Sequence, residues 1–181
     1  MTELEFHIRR AAAADAAALS RLSAAVFPLG CPANTRPEDL AEYIGRELTP
    51  ERFHALLTNE RIAILLVEIG GQPAGYAMVE LGATHPQLPR AERELRKFYI
   101  DAAYHGRGVA NTLMQQVLAT VGDGSLWLSV FSGNPRAIAF YTRWGFRVAG
   151  QQEFVVGTDH QQDYLMQRDA NHDTKEDTAC N

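Results

Sequence analysis

Residues 101–121 read DAAYHGRGVANTLMQQVLATV, and the strand-like run Phe98-Tyr99-Ile100 leads into them. The second half of the stretch is helical in period, with Leu113, Val117 and Leu118 on one side. Between strand and helix stand Gly106, Gly108 and Ala110. A helix start carries unpaired N–H groups and a partial positive charge, so it takes phosphate readily when no bulky side chain blocks the approach. The alternative is a tight turn that needs glycine only for its dihedral angles.

Outward from this loop the chain alternates short apolar runs with amphipathic ones. Upstream, LEFHIRR (4–10) has strand character. LSRLSAAVF (19–27) is helical, with Leu19, Leu22 and Val26 in line. Thr35 and Pro37 open a further helix with Leu40, Tyr43, Ile44 and Leu48 on one side. Thr49 and Pro50, as N-cap and first helical residue, start another helical segment, TPERFHALLTN. RIAILLVEI (61–69) and QPAGYAMVEL (72–81) flank Gly70-Gly71 as a hairpin. Downstream, LWLSVF (126–131) is a buried-looking strand and NPRAIAFYTRWG (134–145) a helix stopped by glycine. FRVAGQQEFVV (146–156) and QQDYLMQR (161–168) close a hairpin. The expected architecture is α/β, one domain over residues 1–168 with a mixed, mostly antiparallel sheet in the order β-α-α-β-β-β-α-β-α-β-β. Residues 169–181 are expected to form a disordered polar tail.

Composition excludes several classes. The chain has 181 residues, 46% hydrophobic and 22% charged, ordinary for a globular protein. Its net charge of −5 speaks against nucleic acid and suits a cationic small substrate. No run approaches the roughly 18 apolar residues of a membrane span, and the N-terminus lacks a signal-peptide core, so a cytoplasmic protein without a membrane partner is expected. Cys31 and Cys180 form neither a disulfide framework nor a metal knuckle. His54, His85 and His160 show no metal-ligand spacing, so no metal is expected. Trp127 and Trp144 suit the core or a subunit contact. A P-loop is excluded because no Gly-Lys-Ser/Thr comes after the glycines. A dinucleotide fingerprint fails at Asn111, and LWLSVF ends without the acid that would hold a ribose.

The run His105-Gly106-Arg107-Gly108-Val109-Ala110 resembles the Q/R-x-x-G-x-G/A loop of the GNAT N-acetyltransferases. Asn134 to Phe146 resembles that family's N-x-x-A-x-x-F/Y-Y-x-x-x-G-F signature. The two stand in the family's order, and the likeness spans about residues 5–168. It implies a sheet splayed between the fourth and fifth strands and acetyl-CoA as co-substrate. The loop from His105 to Ala110, with Asn111, would hold the pyrophosphate. Main chain of Phe98, Tyr99 and Ile100 would align the pantetheine arm. Asn134 would reach the cofactor, and Tyr141 would protonate the departing thiolate. His105 departs from the pattern, since Gln or Arg is usual there and a neutral imidazole carries no fixed charge. Glu80 and Glu94, near the ends of two strands, are the candidates for a general base acting through water.

The likeness leans toward the PaiA branch of polyamine acetyltransferases, in NTRPEDLAEYI, TPERFHALL and EFVVGTDHQQDYLM. That branch implies spermidine or spermine as acceptor. Glu38, Asp39, Glu42, Glu47 and Glu51 could draw a polycation, or could simply be a solvated face. Another small amine, an amino acid, a drug or a protein N-terminus are the alternatives. A non-catalytic acyl-CoA-binding regulatory module is the rival from another class. The family leaves a homodimer open.

Overall fold

The computed structural model describes residues 4–170, so residues 171–181 of the expected tail, Cys180 included, lie outside the described residues. One seven-stranded sheet runs in the order β1-β2-β3-β4-β5-β7-β6. Its strands are β1 (His7–Arg10), β2 (Ile62–Ile69), β3 (Gln72–Leu81), β4 (Arg93–Ile100), β5 (Leu126–Phe131), β6 (Arg147–Val156) and β7 (Asp159–Arg168). The helices are α1 (Ala16–Val26), α2 (Pro37–Glu47), α3 (Pro50–Leu57), α4 (Val109–Val121) and α5 (Pro135–Arg143). Three helices therefore separate β1 from β2: the two of the expected order and the short α3, whose first turn Thr49 caps by accepting from the Arg52 N–H. β1 is shorter than LEFHIRR, because only His7–Arg10 finds partners, on Leu65–Glu68 of β2.

The continuous apolar run of β2 arises from burial on both faces. Leu65 and Val67 join a core under α4 and α5 with Leu113, Val117, Leu128 and Met166. Ile64 and Leu66 join a second core under α1 and α3 with Leu19, Phe53 and Tyr76. Small polar residues on α1 are used in that second core: Ser23 donates to the buried Tyr76 hydroxyl at 2.9 Å. Gly70 and Gly71, at φ of 58° and 74°, make the β2–β3 turn as the sequence implies.

Two irregularities shape the middle of the sheet. In the β3–β4 pair Met78 faces Lys97 and Val79 faces Leu95, so Arg96 is an extra, bulged residue. The bulge reverses the pleat. Leu95 and Phe98 both face the α4 side, whereas Lys97 and Tyr99 face α1 and α2. Beyond it, β4 and β5 run parallel and share one register pair, Glu94 with Trp127. From there the strands part, leaving that edge of β4 without a strand partner.

The β6–β7 turn is tied across the sheet to the segment before and within α2. Thr158 donates to Asp39 at 2.9 Å, and Thr35 donates to Asp159 at 2.8 Å. Thr35 is thus buried in a tertiary contact, while Arg36 takes the N-cap position of α2. Among the described residues no helix is long and apolar enough to cross a membrane.

Asp39→Ala removes the Thr158 bond from a buried position and should cost about 1–2 kcal/mol of unfolding free energy in urea titration. Glu38→Ala, one residue away and exposed, should stay within about 0.5 kcal/mol.

Candidate active site

A cavity of about 640 Å³ passes through the gap between β4 and β5. At one end lies the glycine loop at the start of α4. At the other lie the segment after α1, from Phe27 to Cys31, and the inner face of β6 and β7.

Gly108 is the N-cap of α4 with φ of 83°, and Gly106 has φ of 76°. Each conformation suits glycine, so the dihedral explanation holds. It is not the whole account. A Cβ at either position would meet no protein atom within 4 Å, so the ground before the loop is open. No side chain caps α4 and no acid stands in its first turn, whereas Thr49 caps α3 and Asn134 caps α5. An uncapped 13-residue helix facing a cavity is a ready anion site. Gly106, Gly108, Ala110 and Asn111 line the cavity. Arg107 is exposed and Val109 is buried in the core. For Val109 only main chain is then available to a ligand.

His105 lines the cavity and is fixed from both nitrogens. Nε2 lies 2.8 Å from the Ile100 carbonyl, to which it donates, and Nδ1 lies 3.0 Å from Arg136, whose guanidinium can only donate. The ring is therefore neutral and braces the loop. The fixed charge that the sequence lacks at 105 comes from Arg136 on α5, held by that same ring. Arg143 also lines the cavity, so two guanidiniums stand on the α5 wall. Nothing in the sequence around Arg136 marked it.

Phe98, Tyr99 and Ile100 lie along the unpartnered edge of β4, and all three line the cavity. The Ile100 carbonyl accepts from His105, so its main chain is already partly engaged. Asn134 caps α5 through its Oδ1, which accepts from the Ala137 N–H at 3.1 Å, and still lines the cavity. Tyr141 is 9% exposed and lines it too. Its ring is held edge-on by Phe98, Phe140 and Phe146, with centroids 5.5–6.2 Å away. Burial pushes its phenol well above the ordinary range, so the hydroxyl keeps its proton in the resting site.

Glu80 and Glu94 face one another in register on β3 and β4, and neither lines the cavity. Arg96 holds Glu80 at 3.0 Å, with Arg61 at 3.9 Å. Burial raises the Glu94 carboxyl, with Glu80 adding to the rise and Arg96 opposing it. The polar groups that do reach this part of the cavity are Arg96, Lys97, Ser129, Gln161 and Asp163, with the Cys31 thiol. Burial pushes that thiol up to about 11, so it stays protonated. Lys97 lies over the stacked rings of Phe27 and Tyr43, 5.7 and 5.8 Å from their centroids. Burial, with help from Arg96, lowers its ammonium to about 8. Of the acidic residues on α2 and α3, Asp39 is buried, Glu38 is near Arg36, and Glu42 and Glu47 pair with Arg46. Glu51 is exposed on α3, and none of these five acids lines the cavity.

The sequence profile described as the acetyltransferase (GNAT) family matches residues 30–146. An N-acetyltransferase of Mycobacterium tuberculosis, itself uncharacterised, is 40% identical over 158 residues, covering 86% of this chain and 97% of the relative. The N-alpha-acetyltransferase RimI of the same organism is 30% identical over 122 residues, 67% and 75% of the two chains. A spermine/spermidine N(1)-acetyltransferase of Bacillus subtilis is 28% identical over 89 residues, 46% and 59%. Among solved structures, the PaiA N-acetyltransferase of Thermoplasma acidophilum in complex with coenzyme A superposes with a TM-score of 0.72 at 17% identity, over 92% of this chain and 99% of that one.

Gly108→Ala and Gly71→Ala each place a Cβ in a left-handed conformation and should cost a comparable 1–2 kcal/mol, roughly, in stability. Only Gly108→Ala should also weaken CoA binding, by about tenfold in calorimetry, because only it intrudes on the open ground before α4. Equal CoA affinity in the two variants would show that the loop is no cradle.

Proposed function

The chain belongs to the acetyltransferase (GNAT) family and is an N-acetyltransferase that uses acetyl-CoA, and from that premise we propose that it acetylates the primary amine of a small molecule. The observation that carries the proposal is a single cavity joining an uncapped helix start to a polar pocket through the parted strands. The glycine loop and Arg136 would take the pyrophosphate. The free edge of β4 at Phe98 and Tyr99 would pair with the amides of the pantetheine arm and bring the thioester to the gap. An amine would enter from the side of Cys31 and Phe154.

Tyr141 would then give its proton to the leaving thiolate. A phenol this buried is a weak acid, yet the same burial penalises the thiolate, so the two affinities for a proton rise together. Its aromatic cage keeps the hydroxyl in place without a hydrogen-bond partner to compete for it. Glu80 and Glu94 would act, if at all, from outside the cavity through water.

For the acceptor, a polyamine such as spermidine or spermine is supported by the likeness to the PaiA branch and by the Bacillus relative. A second acceptor class is favoured by Lys97. Two cations, Arg96 and Lys97, and one carboxylate, Asp163, line this part of the pocket, and that excess of positive charge suits an amine that also bears a carboxylate, such as an amino acid. A polycation would have to tolerate Lys97.

Thiol release from acetyl-CoA, measured against spermidine, spermine, amino acids and short peptides, tests both levels. Turnover with any amine supports acetyl transfer, and preference between polyamine and amino acid separates the two acceptors. Tyr141→Phe should lower kcat by about 10–100-fold and leave acetyl-CoA affinity within twofold. Unchanged kcat would remove the acid role.

A further inference from the structure

Asp163 on β7 falls in the PaiA-like stretch EFVVGTDHQQDYLM but in neither GNAT signature, and its surroundings set it apart. It is 6% exposed, it lines the acceptor end of the cavity, and its Oδ1 is the one buried side-chain polar atom among the described residues without a hydrogen-bond partner. Leaving a buried carboxylate oxygen unpaired is costly unless water or a ligand in the cavity supplies the missing partner.

The other oxygen is held by a directed chain of hydrogen bonds. Ser129 on β5 donates to Oδ2 at 2.5 Å, and the Gln152 amide on β6 donates to the Ser129 oxygen at 3.0 Å. The Gln152 Oε1 lies 3.1 Å from Nε2 of His85. The Gln87 N–H donates to Nδ1 of that ring, which puts the proton on Nε2, pointing at Gln152. His85 packs against Trp127, whose indole is anchored on the Ala83 carbonyl. Three strands and a loop thus fix one oxygen and leave the other free.

We propose that Asp163 receives the ammonium of the acceptor and takes its first proton, with Ser129, Gln152 and His85 as positioning residues. The inference rests on the acetyl-transfer function and holds for either acceptor class. A proton passes from R–NH3+ to the carboxylate and on to solvent. The freed lone pair attacks the thioester carbonyl, the C–N bond forms, and the C–S bond breaks with its electrons going to sulfur. The second nitrogen proton lost as the adduct collapses ends on the thiol by way of Tyr141.

Burial raises the Asp163 carboxyl above the usual carboxylate range, and the Ser129 hydroxyl opposes the rise. The charged and titratable groups lining the same part of the cavity are Cys31 after α1 and Arg96, Lys97 and Tyr99 on β4; Asp159 on β7 lies outside the lining, its carboxylate accepting from Thr35 and Gln161. β5 and β6 present Ser129, Phe131, Gln152 and Phe154, none of which titrates. A base must be ionised, so kcat/KM for the acceptor falls as pH drops through this raised pKa.

The test uses Asp163→Asn, which keeps shape and removes the charge. Its kcat/KM for the best amine should fall by about 100-fold or more, acetyl-CoA affinity should hold within twofold, and the acid limb should vanish. Ser129→Ala should retain more activity and move that limb to higher pH, an effect a merely structural loss would not produce. Asp163→Asn with kcat/KM within threefold of wild type and an unmoved limb overturns the inference. If the wild type turns over no amine, acetyl transfer fails first. Calorimetry of spermidine and leucine on the CoA-bound proteins still decides the role of Asp163: at least tenfold weaker binding of either in Asp163→Asn upholds it, and equal heats overturn it.

Discussion

Parallel strands cannot be joined by a tight turn, and β4 and β5 are the one parallel pair in this sheet. The chain must leave β4, cross over one face as α4, and return along β5. That crossover puts the start of α4, with its unpaired N–H groups, directly beyond the C-terminal end of β4. Because the two strands share only the Glu94–Trp127 position, the same event opens the sheet beside that helix start. Cavity, free strand edge and anion site have one cause. The bulge at Arg96 adds the remaining degree of freedom, since without it Lys97 would share the face of Leu95 and the core under α4 would have to bury an ammonium.

Charge at the start of α4 shows how a changed letter can be matched from another element. At residue 105 a glutamine or arginine would reach the ligand itself. Here the imidazole turns its N–H back to the Ile100 carbonyl and offers its other nitrogen to Arg136. A rigid strut replaces a flexible contact, and the guanidinium arrives from α5 instead. Arg136 sits in the first turn of α5, a position unfavourable to a cation on that helix's own dipole. Its bond to His105 offsets that local cost.

The fold was largely legible in the sequence because its signals are local. The Gly70-Gly71 turn, the Thr49-Pro50 start and the period of residues 109–121 each act within a few positions. The glycine turn before α4 was legible for the same reason, since Gly106 and Gly108 report their own backbone. The acceptor end was not. Glu80 and Glu94 stand out as acids at strand ends, but Arg96 and Arg61 hold the first and neither lines the cavity. Asp163 looks in sequence like the solvent face of an alternating strand, QQDYLMQR. Its burial comes from β5 and β6, which reach it only through pairing. Lys97 likewise owes its position to a bulge and to a stacked pair of rings from two other elements, Phe27 just after α1 and Tyr43 on α2.

The contacts that bound the acceptor pocket are the least local in the chain. Thr35 and Asp159 are 124 positions apart, and Asp39 and Thr158 are 119 apart. They tie the segment around the start of α2 to the β6–β7 turn and the start of β7, and the neighbouring Cys31 and Gln161 both line the pocket. Pocket width is then set by where two separately folded pieces meet, and a one-residue change in either loop shifts the wall without altering any motif. Such an arrangement separates the two substrates physically. In the proposed function the half that would hold the co-substrate is written into one turn and one helix, while the half that would select an amine is distributed over the segment after α1, β4, β6 and β7. In that reading the chemistry stays fixed as the acceptor changes. Acceptor choice depends on which charges the clamp brings to face each other across the gap.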